Sequence, residues 1–151
     1  MKVREIIATV KQVKPNQYDD ALLIKWLSDH ELTLYDSLFC NYAATKEEMD
    51  AARVAAGLMP ETEYEENLPP PRPLPIDPEA DTERELAVPA PYDDIYVLWL
   101  CAQVDYNNSE IDRYTNSGTY YNARAQAFMN YFNRTHKALR NGTRGLRGRD
   151  Y

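Results

Sequence analysis

Nine of the ten prolines of this chain fall between Pro60 and Pro91, and that clustering sorts whatever helices it forms into two groups. Proline fixes φ at about −65° and has no amide hydrogen to donate, so a stretch this rich in it is neither a helix interior nor a central strand. The same stretch, residues 59–91, opens with the acidic run 61–66 and has little apolar area to bury. It reads as an extended polyproline-type arm or loop inserted into a protein that is helical on either side.

On the N-terminal side, Val3, Ile6, Ile7, Val10 and Val13 recur at helical spacing. They predict an amphipathic helix over 3–14, stopped by Pro15 and a turn at Asn16. Asp19 is placed to cap a second helix, with Tyr18 and Leu23 as its hydrophobic staple. Leu23, Trp26, Leu27, Leu34, Tyr35, Leu38 and Phe39 line one face of it to about Asn41, with His30 on the shoulder of that stripe as a packed or capping imidazole. Thr45 and Glu48 have capping-box spacing, and Gly57 followed by Pro60 is a stop signal. A short helix over 46–56 follows, with a thin apolar face of Met49, Ala52 and Ala56.

On the C-terminal side, Pro91 suits the first position of a helix, and Asp93 and Asp94 suit the positive end of its dipole. Ile95, Val97, Leu98, Trp99, Leu100, Cys101, Ala102 and Val104 make its first half apolar nearly all round. Such a helix is either central or buried against neighbouring subunits. It turns polar after Tyr106, and Asn116, Ser117 and Gly118 offer a break. Beyond it, 119–136 places Tyr121, Ala125, Phe128 and Phe132 on one stripe and folds back antiparallel. The fold class is all-α: a small helical bundle over 1–136 with a long antiparallel helical hairpin, the arm 59–91 inserted, and a basic tail, 137–151, expected to be flexible in isolation.

A chain of 151 residues buries enough surface, about 70%, to hold one domain without metals or disulfides. Cys40 and Cys101 both sit among apolar residues of helical segments and read as buried thiols. The longest apolar run, 95–102, is far short of the roughly 18 residues of a spanning helix, and the first residues have charges scattered through their apolar positions. A soluble, unprocessed protein with no membrane partner is expected, and the sequons at Asn107, Asn133 and Asn141 carry no meaning without secretion.

Charge is divided unevenly. Lys137, Arg140, Arg144, Arg147 and Arg149 against Asp150 give 137–151 a net +4, and since the whole chain is −7 the remainder is −11. An acidic body argues against wrapping nucleic acid, because neutralising phosphates needs a basic face. Gly57 and Gly118 are too far apart to form a phosphate loop, and His30 and His136 lie on different helices away from the cysteines. Glu110 and Asp112, the best carboxylate pair, fit a solvated helix face. No convergent site emerges, so neither catalysis nor a cofactor is expected.

Three motifs in 85–136 carry a resemblance. Residues 88–93 read VPxPYD, residues 105–114 read D-Y-x-N-x-E-x-x-R-Y with Glu110 in register, and 131–136 are a variant of a closing Y-N-R-T-H. In these the chain resembles the helical head-tail adaptor (connector) proteins of long-tailed bacteriophages, over about a third of its length. The resemblance implies a structural virion protein, made in the host cytoplasm and placed at the neck. About twelve copies would form a closed ring on the portal protein, meet a stopper or tail-completion protein on the other side, and extend the channel for genomic DNA. It also implies that a C-terminal segment reaches into the portal, for which Arg140, Arg144, Leu146, Arg147, Arg149 and Tyr151 are the candidates. An acidic body suits a lumen through which DNA slides without sticking. The Tyr and Asn content of the hairpin suits wet contacts between subunits, with Tyr114, Tyr120 and Tyr131 as candidates. The proline-rich connection and the Arg/Gly tail depart from the family.

Two other readings use other residues. Arg72, Pro75 and Pro78 have the R-x-x-P-x-x-P spacing that fits an SH3 groove, which would make the chain a monomeric interaction module. Proline-rich linkers produce that spacing by chance, so a stiff arm is the plainer reading. The Arg/Gly tail suits nucleic acid as well as an acidic protein groove, which would make the chain a packaging accessory.

Overall fold

The computed structural model describes residues 1–139 and contains five α-helices: α1 (Val3–Val13), α2 (Asp20–Ser37), α3 (Lys46–Ala55), α4 (Asp94–Asn107) and α5 (Ile111–Thr135), with a 3₁₀ turn at Phe39–Asn41. Among the described residues there is no strand, only isolated antiparallel bridges of Lys2 with Glu85 and Tyr42 with Ala138. The protein is all-α. It divides into two compact units, one of Met1–Glu31 with Pro75–Met129, the other of Leu32–Leu74 with residues 130–139.

The first unit is built around α4, which buries Ile95, Tyr96, Leu100, Cys101, Ala102, Val104 and Asp105. It contacts α1, and its Tyr96 reaches Glu31 of α2. Contacts with α5 run in reverse order along the two helices. Ser117 meets Asp105, the Tyr121 ring lies 5.3 Å from Trp99, Arg124 bonds Asp94 and Phe128 packs by Tyr92. The two helices are therefore antiparallel. Neighbours on several sides cover much of α4, while Val97, Leu98 and Trp99 are only partly buried. Val3, Ile6, Ile7 and Val10 of α1 are buried, at roughly 1.5–3 kcal/mol for each large aliphatic side chain. Val13, predicted on the same stripe, is exposed because α1 ends there and the next residue, Lys14, is drawn to Asp105 instead.

The break between α4 and α5 lies at 108–110, not at Asn116, Ser117 and Gly118, through which α5 runs without interruption. Ser109 takes a left-handed φ of 59°, and the Glu110 and Ser109 amides donate to the Asp105 and Tyr106 carbonyls at 3.0 and 3.1 Å. That is the Schellman closure, and it hides from sequence reading because serine occupies the place usually held by glycine or asparagine. The Ser117 hydroxyl is taken by Asp105, and a Cβ on Gly118 would meet nothing within 4 Å. Gly118→Ala is therefore expected to stabilise by about 0.5–1 kcal/mol. Gly57→Ala should lose about 1 kcal/mol or more, because Gly57 closes α3 at φ 79° and its Cβ would stand 3.2 Å from Leu74. Urea midpoints check both, and a loss at Gly118 would contradict the unbroken α5.

Other helix ends also differ from expectation. Helix α4 starts at Asp94, after a turn in which the Ala90–Pro91 bond is cis, so Pro91 is not the first helical residue. Helix α2 stops at Ser37, and the 3₁₀ turn carries the chain on to Asn41. Its start follows the sequence: Asp19 accepts the Leu22 amide at 3.0 Å, while the Tyr18 ring packs edge-on against Trp26.

The second unit buries Leu38, Phe39, Met49 and Phe132. The Phe132 ring meets Phe39 and Tyr42 edge-on and stacks on His136, whose Nε2 lies 2.7 Å from Glu48. Helix α3 opens on the predicted capping box, with Thr45 and Glu48 bonding each other's amides. Residues 137–139 pair with 41–43, the Ala43 amide donating to Lys137 and the Leu139 amide to Asn41.

Residues 59–91 lie along the helices instead of projecting from them. In the second unit, Tyr35 donates to the Pro70 carbonyl, Arg72 forms two 3.0 Å bonds to Asp36, and the Leu74 amide reaches Ala55. In the first, Ile76 is buried with its amide on Ser28, and Leu86 and Val88 join the core. The Thr82 and Arg84 carbonyls accept the Arg4 and Val3 amides. The first amides of α1 have no partner within their own helix, and this segment supplies one. Both cysteines are free; Cys101 is buried but Cys40 only half so, since it lies past the end of α2.

Candidate interaction surface

Most residues of the three motifs serve the scaffold. Val88 is buried and donates its amide to Tyr96 Oη at 3.0 Å, while Tyr96 donates to Glu31 Oε1 at 2.7 Å. Glu31 takes the Ala87 amide on its other oxygen at 2.8 Å. One buried carboxylate thus fixes the 87–88 segment to α4. Burial pushes the Glu31 carboxyl above its ordinary range and the Tyr96 hydroxyl well above its own. Asp105, 1% exposed, takes Lys14 Nζ on both oxygens at 2.7 and 2.9 Å and the Ser117 hydroxyl at 2.7 Å. His136 and Asn133 of the closing motif bond Glu48 and Tyr42.

His30 is packed within rings, with Tyr96, Trp99 and Tyr121 centroids 5.3–5.6 Å away and its Nε2 2.7 Å from Tyr121 Oη. Burial lowers its pKa to about 4, and it raises that of the Tyr121 hydroxyl. His30 Nδ1 and Trp99 Nε1 are buried without a hydrogen-bond partner. The packed imidazole was legible from its place on the α2 stripe. Glu31 was missed although it stands on the stripe, four residues after Leu27 and three before Leu34, because its charge argued against burial.

Two motif tyrosines have no such duty. Tyr106, at the end of α4, and Tyr114, in the first turns of α5, put their ring centroids 5.2 Å apart while staying 57% and 37% exposed. Ile111, 61% exposed, precedes Tyr114 by three residues on the same helix face. The Schellman turn sets this cluster, and a Glu110–Arg113 ion pair of 2.8 Å flanks it. Large apolar surface held in water by a rigid turn is suited to association.

Of the three interface candidates from sequence, Tyr114 joins this cluster. Tyr120 is 67% exposed but follows Tyr114 by six residues, about 120° round the helix, and faces elsewhere. Tyr131 is half-buried in the second unit. Tyr106 and Ile111 were missed as surface residues because the expected break at 116–118 placed both inside one long helix. In the proline segment, Pro75 and Pro78 are exposed, while Arg72 is committed to Asp36, whose carboxyl it holds below the usual range. Arg140, Arg144, Leu146, Arg147, Arg149 and Tyr151 lie outside the described residues.

Among the described residues no group of three or more His, Cys, Asp and Glu could hold a metal ion, and no helix is long and apolar enough to cross a membrane. Compared with protein-family models, with curated proteins and with solved structures, the chain matches none.

Proposed function

We propose that this chain is a head-tail adaptor of a long-tailed bacteriophage: a non-catalytic neck protein of the virion whose copies, about twelve, ring the portal and extend its DNA channel. The observation that supports this reading most is the exposed Tyr106–Tyr114 pair with Ile111. It stands within the stretch that resembles the family, where Val88, Asp105, Asn133 and His136 are occupied in holding the scaffold. On this reading the cluster is the lateral contact between copies. The segment from Arg140 onward meets the portal, and a stopper or tail-completion protein sits on the far side. The SH3-recruiting reading is weakened by the two bonds from Arg72 to Asp36, which a proline-groove partner would have to displace.

The experiment is native mass spectrometry of the chain with its cognate portal protein, for the wild type and for Tyr106→Ser with Tyr114→Ser. The wild type is expected to load the portal with a full ring. The double variant should keep its helical content but lose at least about tenfold in assembly, since paired tyrosines are frequent hot spots. A ring unaffected by the double variant would remove the cluster from the lateral contact.

A further inference from the structure

The end of α3 carries a second exposed apolar surface, wholly within the second unit. Val54, Leu58 and Met59 point into solvent there, with Leu74 against Gly57 beside them. Met59 is 79% exposed although its backbone is pinned, Arg53 Nε donating to the Met59 carbonyl at 2.6 Å. Arg53 also holds Glu61 at 3.2 Å, and Tyr64 donates to Asp50, so the loop after Met59 is folded back onto α3. The next carboxylates, Glu63, Glu65 and Glu66, are exposed and make no ion pair among the described residues. The surface is therefore apolar, backbone-anchored and bordered by free negative charge.

The strongly basic segment of this chain starts close by. Leu139 donates its amide to Asn41, and Ala44 donates its own to Leu68, two residues past Glu66. Counting backbone between these bonds, Leu139 and Glu65 are at most about 30 Å apart, while the twelve residues 140–151 reach about 40 Å when extended. They carry Arg140, Arg144, Arg147 and Arg149 against Asp150, with Leu146 among them. We propose that residues 140–151 dock on this face of their own chain, the arginines on Glu63, Glu65 and Glu66 and Leu146 against Leu58 and Met59. Surface ion pairs are individually weak, so a partner with denser negative charge displaces the segment. Docking of this kind keeps the arginines off stray polyanions until such a partner arrives. The inference rests on charge and apolar placement, independently of the adaptor reading.

The test places a nitroxide on Gly145→Cys in a Cys40→Ser background of the full chain and records methyl spectra. The methyl signals of Val54, Leu58 and Met59 are expected to be lost, and to return with Glu63→Gln, Glu65→Gln and Glu66→Gln combined. They should also return in 1 M salt, where the Debye length falls to about 3 Å. Unchanged signals at α3 in the labelled protein would overturn the proposal. So would equal loss in a mixture of spin-labelled copies without isotope and isotope-labelled copies without nitroxide, which would mean docking between chains. Either failure leaves the portal-loading experiment unaffected.

Discussion

Lys14→Met is expected to destabilise the protein by about 3 kcal/mol or more, because it strands a carboxylate that water cannot reach. Asp105 is 1% exposed and both its oxygens are bonded to Lys14 Nζ, with the Ser117 hydroxyl as its remaining partner. Methionine keeps the apolar stem and removes only the charge, so lost packing contributes little. The converse change, Asp105→Asn, should cost less. Lys14 is 25% exposed at the end of α1 and can turn its ammonium to solvent, whereas the carboxylate has no such exit. Urea denaturation of the two variants checks the asymmetry. A smaller loss for Lys14→Met than for Asp105→Asn would mean that Asp105 is hydrated in solution.

The second large effect is acid sensitivity through His30. Its ordinary pKa is 6.5, and burial among Tyr96, Trp99 and Tyr121 lowers it to about 4. The folded state therefore binds fewer protons at His30 than the unfolded chain between these values. Its contribution is fully present above pH 6.5 and is lost as pH falls towards 4. The pKa difference corresponds to about 3 kcal/mol. Glu31 works in the opposite direction: its raised pKa favours the folded state at low pH, and that help is lost as pH rises past the ordinary carboxyl range. Subtracting the stability of His30→Leu from that of the wild type at each pH isolates the histidine. The difference should fall steeply from pH 6.5 to 4, and NMR should find the imidazole still neutral at pH 5. An imidazole titrating near 6.5 would contradict the buried ring nest.

These two sites also mark how far sequence reading went. The apolar stripes of α1 and α2, the Thr45–Glu48 capping box and the Gly57 stop were legible, since each rests on local spacing or a single backbone demand. The α4–α5 turn was not, because a left-handed serine gives no compositional sign. The hydrogen bonds that hold the proline segment to α1, α2 and α3 join residues far apart in sequence, and no local pattern carries them. The same holds for the Lys14–Asp105 pair, whose members are 91 positions apart. Of the interaction surface, tyrosine enrichment pointed to Tyr114. Tyr106 and Ile111 became visible as its companions only once the turn was known.

That correction sharpens the functional account. Much of the apolarity of α4 has an explanation inside its own unit, so the case for association between copies moves to the apolar residues most exposed at the α4–α5 turn. Electron microscopy of the chain co-expressed with its cognate portal protein tests that account most directly. A closed ring of this chain seated on the portal, with the Tyr106–Tyr114 turn at the contact between adjacent copies, is the predicted result. Portal particles without added density beside a chain that remains monomeric would contradict it.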